Sequence, residues 1–341
     1  MGLAPNSFWA ALENDHIISP LLAKVDRQIR ELLAGVTGPT AEVIDYVVSR
    51  SGKRLRPVLV VLSSSLYGVN SAIAVDLAAA IELVHLASLV HDDVIDGAST
   101  RRNQPSLNSR FDNHVAVLAG DHLFATAFEV FSRYHEYNVL ELITSAIRQM
   151  CDAEIAQSIK TFDLGASEQD YWQCIEKKTA SLLAASCSLA ARIGGVSAAE
   201  EQKMGQFGTY LGYAFQITDD IMDIASPQIR TGKSVGQDLW RGIMTLPIIK
   251  LLSHDQLGSK ARCLIEQWRD TKEKGESHQL FQSILYDLRC MLQDSGILDW
   301  CRQQAYLSVQ RAKEYLCDLA YDSPAKELML SLADAIVDRD S

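Results

Sequence analysis

One long segment, AIAVDLAAAIELVHLASLVHDDVID (Ala72–Asp96), contains neither glycine nor proline, and its apolar residues recur every three or four positions. Alanine and leucine dominate it, which strongly favours an α-helix. A helix that is apolar around much of its circumference must be surrounded by other elements. Similar segments follow along the chain: GDHLFATAFEVFSRY, SAIRQMCDAEIAQSI, KKTASLLAASCSLAARI and FGTYLGYAFQITDDIMDI. No run alternates like a half-buried strand, so the sequence predicts an all-α fold, a large helical bundle.

The domain organisation follows from the absence of any low-complexity linker. We expect a single all-α domain over residues 1–341, of which residues 1–20 form an N-terminal extension or helix. Residues 253–275 are the most polar stretch and are predicted to be a surface excursion. The chain should end in two helices separated at Pro324, because proline does not continue a helix.

A capping signal marks the start of the helix that would carry Lys178. Ser167 is followed three residues later by Asp170. In a capping box the two side chains each accept a backbone N–H of the other residue. We therefore predict that a helix begins at this point.

The composition excludes several classes of function. Hydrophobic residues make up 48% of the chain and charged residues 22%, which indicates a globular protein with a large core. The formal net charge is -11, and the isoelectric point is near 5.2. An acidic protein lacks the broad basic field that nucleic acids and anionic membranes need, so neither is expected as a partner.

The sequence also carries signals about the cellular compartment. The seven cysteines lie far apart and form no CxxC pair, which is typical of reduced, mostly buried thiols in the cytosol. The N-terminus lacks a basic region followed by a long apolar one, so it does not resemble a secretory signal. Uninterrupted apolar runs such as PVLVVL are shorter than the ~20 residues that cross a bilayer. We expect a cytoplasmic protein without a transmembrane segment.

Two acidic clusters share the spacing Asp-Asp-x-x-Asp. The first acidic cluster follows ELVHLASLV, the second follows LGYAFQI, and their members are Asp92, Asp93 and Asp96, and Asp219, Asp220 and Asp223. On a helix, the first and third aspartates of each cluster lie one turn apart on one face and repel each other. Mg²⁺ would relieve this repulsion, since it binds one or two carboxylates and completes its shell with water and phosphate oxygens. The alternative is a solvated acidic helix face, which is less expected for two clusters that each end an apolar face.

Basic residues accompany these clusters. Arginine forms a bidentate fork with phosphate and lysine supplies a point charge. Single pairs of this kind are often only solvated surface, but their concentration in an acidic protein favours an anion pocket. The residues concerned are Gly52, Lys53, Arg54 and Arg56 in SGKRLRP, Arg101 and Arg102 in TRR, Lys177 and Lys178 before Thr179, and Lys233 after Gly232.

At these residues the sequence resembles the trans-isoprenyl diphosphate synthases, and it is most similar to the members that make hexaprenyl, heptaprenyl and longer chains. The resemblance covers most of the chain from about residue 20, in one order. It implies an all-α fold of the isoprenoid synthase type around a deep central cavity. It rests on GKRLRP, LVHLASLVHDDVIDGASTRR, LAGDHLFATAF, EKKTASLLAASC, GYAFQITDDIMDIA, GKSVGQDLWRGIMTLP and the C-terminal VDR.

The resemblance implies a reaction: magnesium-dependent, head-to-tail condensation of isopentenyl diphosphate onto an allylic diphosphate, in long-chain members for quinone side chains. Two to three Mg²⁺ ions would bind Asp92, Asp96 and Asp219, with Asp93, Asp220 and Asp223 in the same shells. The resemblance also implies that the allylic diphosphate is bound by Arg101, Lys178 and Lys233. Isopentenyl diphosphate would be bound by Gly52, Lys53, Arg56, His85 and Arg102. The allylic cation would be lined by the oxygen dipoles of Thr179 and Gln216.

Two positions call for separate comment. A lone histidine such as His85 on an apolar helix is more often a core residue than a ligand, but it lies two turns before Asp92 on a similar face. Ile243 in RGIMTLP stands where many relatives of the family have lysine, which removes one possible cation from the diphosphate site.

Product length should depend on what blocks the growing tail. Ala87 and Ser88 lie about one turn before Asp92, and their small side chains leave the way open, whereas short-chain relatives tend to carry aromatic rings there. The tunnel wall or floor would be formed by Val84, Phe124 and Phe128, although each of these could equally be plain core. We expect a product longer than geranylgeranyl diphosphate.

The resemblance also implies partners. The family usually forms homodimers, and some medium-chain members need a separate small subunit that lacks the aspartate motifs. Alternatives are a shorter-chain synthase of the geranylgeranyl type, a class I terpene cyclase, or a non-catalytic subunit of a heteromeric synthase. The GKRLRP segment argues against the cyclase, and six retained aspartates argue against the non-catalytic subunit.

Overall fold

The structure is a computed structural model that describes residues 5–49, 52, 54–102, 104–225, 235–272 and 278–338. Lys53 and Lys233 therefore lie outside the described residues. Backbone contacts divide the chain into two compact units. Unit 1 comprises Met1–Ala146, Leu182–Gly208 and Tyr315–Leu332, and unit 2 comprises Ile147–Ser181, Thr209–Glu314 and Ala333–Ser341. The single-domain expectation stays a prediction.

The elements confirm the all-α prediction. Their bounds are α1 (Pro5–Asn14), α2 (Ile18–Leu33), α3 (Pro39–Val48), α4 (Leu55–Leu66), α5 (Ser71–Ile95), β1 (Thr100–Arg101), β2 (Gln104–Pro105), α6 (Leu107–Arg110), α7 (Asn113–Ser132), a 3₁₀ turn (His135–Tyr137), α8 (Val139–Ile159), α9 (Glu168–Ile175), a π-helix (Glu176–Ala180), α10 (Ser181–Ile193), α11 (Ala198–Ala225), α12 (Gln237–Arg241), α13 (Leu246–Leu252), α14 (Gly258–Lys272), α15 (His278–Asp294), α16 (Ile297–Cys317) and α17 (Pro324–Val337). Within the described ranges, the two-residue antiparallel pair β1–β2 is the whole of the strand content.

Helix α5 forms the centre of unit 1 and packs against α2, α4 and α7. It begins at Asn70, whose side chain accepts the backbone N–H of Ala72 at 2.8 Å. Leu77, Ala79 and Leu83 are fully buried, as the apolar circumference of the segment predicts. Burial on all sides, rather than a strong apolar stripe, is what places α5 inside the unit.

Among the residues that the structure describes, two helices are long and apolar enough to cross a membrane by length and composition, so the argument from short apolar runs was incomplete. In α5, 72% of the apolar window is buried within the protein, which is typical of a core helix. In α7, the corresponding fraction is 39%. The absence of a transmembrane segment stays a prediction.

The core of unit 2 is built around aromatic rings. The ring centroids of Trp240, Trp268 and Phe281 lie 4.7–4.9 Å from one another. Trp268 is fully buried and belongs to α14, together with buried Ala261 and Ile265. The prediction that residues 253–275 form a surface excursion was therefore wrong, because three apolar residues at helical spacing suffice to bury one face of a polar helix.

Local signals at helix ends were predicted correctly. Ser167 accepts the N–H of Asp170 at 3.1 Å, and Asp170 accepts the N–H of Ser167 at 3.0 Å, which completes the capping box of α9. The closing helices α16 and α17 are separated before Pro324. All seven cysteines are free, but Cys151, Cys263 and Cys317 are exposed rather than buried.

Candidate active site

The first acidic cluster lies at the C-terminal end of α5. Asp92 and Asp93 belong to its last turn, and Asp96 is the C-cap residue, whose N–H donates to the carbonyl of Asp92 at 2.8 Å. Asp96 is exposed, Asp92 is half-buried and Asp93 is buried. The spacing therefore places Asp92 and Asp96 toward solvent and turns Asp93 inward.

Asp93 is paired with Arg101. The Nε of Arg101 lies 2.8 and 2.7 Å from the two carboxylate oxygens, and a terminal guanidinium nitrogen lies 2.7 Å from Oδ1. Arg101 belongs to β1, which pairs with β2, and the Tyr46 hydroxyl of α3 donates to the Pro105 carbonyl of β2 at 2.8 Å. Arg101 is thus brought to the first acidic cluster as predicted, with Asp93 as its present partner.

Arg102 follows in a left-handed backbone conformation, with φ of 51°. Its guanidinium covers Gly52 so closely that a Cβ on this glycine would lie 2.6 Å from a terminal nitrogen. A residue with a side chain at position 52 would therefore displace Arg102. The structure brings these two predicted site residues together.

A buried charge cluster lies deeper along α5. Glu82 is 2% exposed, and one carboxylate oxygen finds no hydrogen-bond partner among the described residues. Burial raises the pKa of Glu82, while Arg56, Arg54 and Arg102 oppose that shift. The arginines of GKRLRP and Arg102 therefore surround one carboxylate.

His85 lies one turn after Glu82 and is partly buried. Desolvation lowers the pKa of His85 well below its ordinary value, and the positive charges of Arg56, Arg101 and Arg102 add to the shift. His85 is therefore neutral at physiological pH and can act as a hydrogen-bond partner but not as a cation. Of the predicted set for isopentenyl diphosphate, the structure gathers Arg56, His85 and Arg102, and Gly52 lies against Arg102; Lys53 lies outside the described residues.

The predicted chain-length residues lie on α5 and α7, which pack against each other. Val84 and Ala87 are fully buried, and Ser88 is half-buried with its hydroxyl donating to the carbonyl of His85 at 2.9 Å. The rings of Phe124 and Phe128 are stacked at 6.0 Å, and each is half-buried. The structure therefore allows a lining role for these side chains without distinguishing it from core packing.

A cavity of about 220 Å³ adjoins the first acidic cluster in unit 1. Arg101, Arg102 and Asp93 contribute polar groups, and Leu86 and Leu89 contribute apolar walls. The cationic side chains are thus accessible from a pocket rather than from open surface.

The second acidic cluster ends α11 in unit 2, and its side chains are held by neighbours. Asp220 accepts the Tyr171 hydroxyl at 2.6 Å and the Gln216 amide at 2.8 Å. Asp223 accepts the backbone N–H groups of Gln237 and Asp238, each at 3.1 Å. Asp219 is half-buried. The sequence did not predict that Asp220 and Asp223 would already accept hydrogen bonds from the protein.

Thr179 and Gln216, the two residues predicted to place oxygen dipoles beside the allylic cation, meet in unit 2. Thr179 belongs to the π-helix, a form that is frequent at functional sites, and its hydroxyl donates to the Gln216 carbonyl oxygen at 2.6 Å. Lys178 precedes it and contacts Glu154 and Gln157, each at 2.5 Å. Lys178, Thr179, Gln216 and Asp220 all line a cavity of about 210 Å³. Ile243, which replaces the family lysine, is part of the same wall, and Lys233 lies outside the described residues.

Burial and neighbouring carboxylates raise the pKa values of two aspartates of the second acidic cluster. Burial raises the pKa of Asp223 to about 6, and the neighbouring carboxylate of Asp238 adds to the shift. Burial also raises the pKa of Asp220 well above its ordinary value, again with a contribution from Asp238. Carboxylates that raise one another's pKa in this way would be stabilised by a divalent cation.

Within the described ranges, no group of three or more histidine, cysteine, aspartate or glutamate side chains is arranged to hold a metal ion. Part of the reason is that the carboxylates of Asp93 and Asp220 are turned toward hydrogen-bond donors of the protein. Mg²⁺ needs only one or two carboxylates when phosphate oxygens complete its shell. The pair Asp92 and Asp96, one turn apart, and Asp219 therefore fit the ion chemically.

Sequence reasoning missed three side chains that contact the predicted ones: Glu82, Glu154 and Tyr171. Glu82 carried a signal, because it is a charged residue in an apolar segment, three positions before His85. Glu154 and Tyr171 carried none, since each reaches its partner only through packing of different helices.

Comparisons with known proteins identify the family. A family model described as polyprenyl synthetase matches residues 39–284. The chain is 31% identical to octaprenyl diphosphate synthase of Escherichia coli, over 94% of this chain and 99% of that protein. It is also 32% identical to a short chain isoprenyl diphosphate synthase of Methanothermobacter thermautotrophicus (92% and 95% covered) and 35% identical to heptaprenyl diphosphate synthase component 2 of Geobacillus stearothermophilus (70% and 75% covered).

The fold agrees as well. A polyprenyl synthase of Caulobacter crescentus, crystallised with calcium and isoprenyl diphosphate, superposes with a TM-score of 0.86 at 28% identity, over 98% of each chain. The chain therefore belongs to the polyprenyl synthetase family of prenyltransferases. The resemblance predicted from the motifs is confirmed.

Proposed function

We propose that the protein is a magnesium-dependent synthase that adds isopentenyl diphosphate head to tail to an allylic diphosphate and makes a product longer than geranylgeranyl diphosphate. The observation that carries the proposal is the cavity in unit 2, where Thr179, Gln216 and Lys178 lie beside the second acidic cluster. Oxygen dipoles next to a cationic side chain and carboxylates suit a substrate that separates into a carbocation and a diphosphate.

The proposal gives each group of residues a role. The allylic diphosphate is bound by Arg101, Lys178 and Lys233. Isopentenyl diphosphate is bound by Gly52, Lys53, Arg56, His85 and Arg102. Asp92, Asp96 and Asp219 would hold Mg²⁺, which would supply positive charge to the departing diphosphate. The Thr179 hydroxyl and Gln216 carbonyl oxygens stabilise the allylic cation that remains. The double bond of isopentenyl diphosphate attacks this cation, and the resulting carbocation loses a proton to the released diphosphate as the new double bond forms.

The structure suggests how the cations are held before substrate arrives. Arg101 is paired with Asp93, and Lys178 with Glu154. A diphosphate carries more charge than either carboxylate and offers more acceptor oxygens. We propose that these side chains exchange their carboxylate partners for the substrate.

Turnover of the purified chain tests the proposal. With farnesyl diphosphate, isopentenyl diphosphate and Mg²⁺, we expect products beyond four isoprene units and no product when the metal is chelated. Products that stop at four units would support the shorter-chain alternative, to which the short-chain relative lends weight. No condensation at all would reject the synthase.

A non-catalytic subunit is the competing class. Asp92→Asn combined with Asp219→Asn separates the two. An enzyme loses turnover in this variant, whereas a scaffold leaves the activity of a catalytic partner intact. Terpene cyclisation would show as cyclic hydrocarbon formed without isopentenyl diphosphate.

We further propose that the working form is a homodimer, built on the outer face of α7. Val117 and Leu118 on this face are 40% and 54% exposed, and Ala125 is exposed further along the helix. Exposed apolar side chains grouped on one helix are typical of protein contacts. A heteromer with a small subunit is the alternative suggested by the heptaprenyl synthase relative, whose name describes it as one component.

The quinone role and the compartment complete the proposal. A polyprenyl diphosphate of this length is a donor of quinone side chains, and the acidic composition suits the cytoplasm. Labelled product followed into quinones in cells that lack the protein would test the first point.

A further inference from the structure

Four side chains in unit 2 form an unbroken chain of hydrogen bonds. The Thr179 hydroxyl donates to Gln216 at 2.6 Å, the Gln216 amide donates to Asp220 at 2.8 Å, and the Tyr171 hydroxyl donates to Asp220 at 2.6 Å. Thr179, Asp220 and Tyr171 are 8%, 2% and 6% exposed. Such buried networks define side-chain orientation more strongly than single exposed hydrogen bonds do.

The donors in this chain have a fixed order. The Tyr171 hydroxyl donates its proton to Asp220, because a carboxylate oxygen accepts hydrogen bonds. Asp220 accepts at both oxygens, one from Tyr171 and one from the NH₂ group of Gln216. The carbonyl oxygen of the Gln216 amide must then point the opposite way, toward Thr179.

Helix packing makes this geometry possible. Tyr171 and Thr179 lie eight residues apart along α9 and the π-helix, and Gln216 and Asp220 lie one turn apart on α11. Gly212 allows the two segments to approach, since a Cβ there would lie 2.4 Å from the Cα of Ala180. The network is therefore set by a close helix contact rather than by flexible loops.

We propose that Tyr171 is a positioning residue that acts through Asp220 to hold the Gln216 amide with its carbonyl oxygen toward Thr179 and the cavity. The inference rests on the proposed function, in which this oxygen faces the allylic cation. If the amide rotated, its NH₂ group would present positive charge to that cation and slow the ionisation. Asp220 then orients Gln216, in addition to the role in the metal shell that the resemblance implies.

Tyr171→Phe tests the inference, because it removes the hydroxyl and keeps the ring. We expect kcat to fall roughly tenfold or more, with KM for both diphosphates within about twofold of the wild-type value, because only a transition-state interaction is weakened. The matched control is Tyr213→Phe, which also removes a tyrosine hydroxyl from these helices, but one whose hydrogen bond goes to Glu176 and not to Asp220. A purely structural role would lower the melting temperature of both variants similarly and leave both kcat values unchanged, which overturns the proposal.

A double-mutant cycle sharpens the test. If Tyr171 acts through Asp220, Tyr171→Phe should have little further effect on kcat in the Asp220→Asn background. Independent, multiplicative effects on kcat would contradict the proposed connection.

A last measurement does not depend on turnover. In protein labelled with ¹⁵N-glutamine, the side-chain NH₂ of Gln216 should be protected from hydrogen exchange, and Tyr171→Phe should remove that protection. Unchanged protection overturns the positioning role whether or not the protein is active. Wild-type protein that makes no product rejects the proposed function instead, and the exchange result still decides the inference.

Discussion

A single buried carboxylate, Glu82, accounts for the order of the arginines in unit 1. Arg54, Arg56 and Arg102 all lie close enough to oppose the effect of burial on its pKa. Arg54 and Arg102 also adopt left-handed backbone conformations, with φ of 52° and 51°. Non-glycine residues in this region carry strain that surrounding contacts must offset. Arg54 also pairs with Asp26, and we interpret the charge of Glu82 as adding to the contacts that offset the strain.

Glu82→Gln should show this in two measurements. Removing the charge leaves the arginines uncompensated, so the free energy of unfolding should fall by about 2 kcal/mol or more. KM for isopentenyl diphosphate should rise, because Arg56 and Arg102 are no longer held in place. The control is Glu129→Gln, whose carboxylate is 73% exposed and pairs with Arg133 on the surface, where little is lost. Wild-type stability and KM in Glu82→Gln would refute the interpretation.

The position of Ser88 allows a test of chain length. Ala87→Phe should shorten the product, but Ala87 is fully buried, so a ring there would also strain the core. Ser88 is half-buried, one turn before Asp92, and can accept a ring more easily. We expect Ser88→Phe to shorten the product by at least one isoprene unit, seen by chromatography of the dephosphorylated alcohols. Ala72→Phe, an exposed position in the first turn of α5, should leave the length unchanged.

At the scale of elements, close helix contacts depend on glycine. Gly208 of α11 faces the backbone of α10, and a Cβ there would lie 2.6 Å from the carbonyl oxygen of Leu183 and 2.7 Å from the Cα of Ala184. Backbone atoms cannot move aside as a side-chain end can. The contact between these two helices in unit 1 is therefore fixed by the absence of a side chain.

Gly208→Ala should consequently be destabilising, although alanine favours helix. We expect a loss of ~2 kcal/mol in the free energy of unfolding, measured in urea, because overpacking outweighs the gain in helix propensity. Gly205→Ala, one turn earlier, is the control, since its Cβ would meet only the hydroxyl of Ser188 at 2.9 Å. Equal stability of the two variants would show that α11 can shift freely.

At the scale of the whole molecule, the unburied face of α7 is the main feature that the single chain leaves unexplained. Leu118 is 54% exposed in the middle of this helix. Leu118→Glu should convert a dimer into a monomer in sedimentation experiments, because a charge would be buried at the contact. Ile17→Glu, equally exposed on α2's N-terminal side, should leave the mass unchanged. A wild-type chain that sediments as a monomer would contradict the proposed dimer.

Local signals explain what could be predicted from the sequence. The apolar segment of α5, the capping box at Ser167 and the helix break before Pro324 each depend on residues within a few positions of one another, so their outcome is readable without the fold. The acidic and basic motifs predicted the family in the same way. The polar helix α14 was missed because its three buried residues, including Trp268, form too weak a pattern to recognise.

The tertiary structure alone decided which side chains pair. Tyr171 and Asp220 are 49 residues apart in the chain, yet their hydrogen bond sets the orientation of Gln216. Lys178 is held by Glu154 for the same reason. The sequence by itself determined where the helices form and which acidic and basic side chains are present, since both depend on neighbouring residues. Helix packing decided which side chains distant in the chain become hydrogen-bond partners, because such contacts can form only after packing brings their helices together.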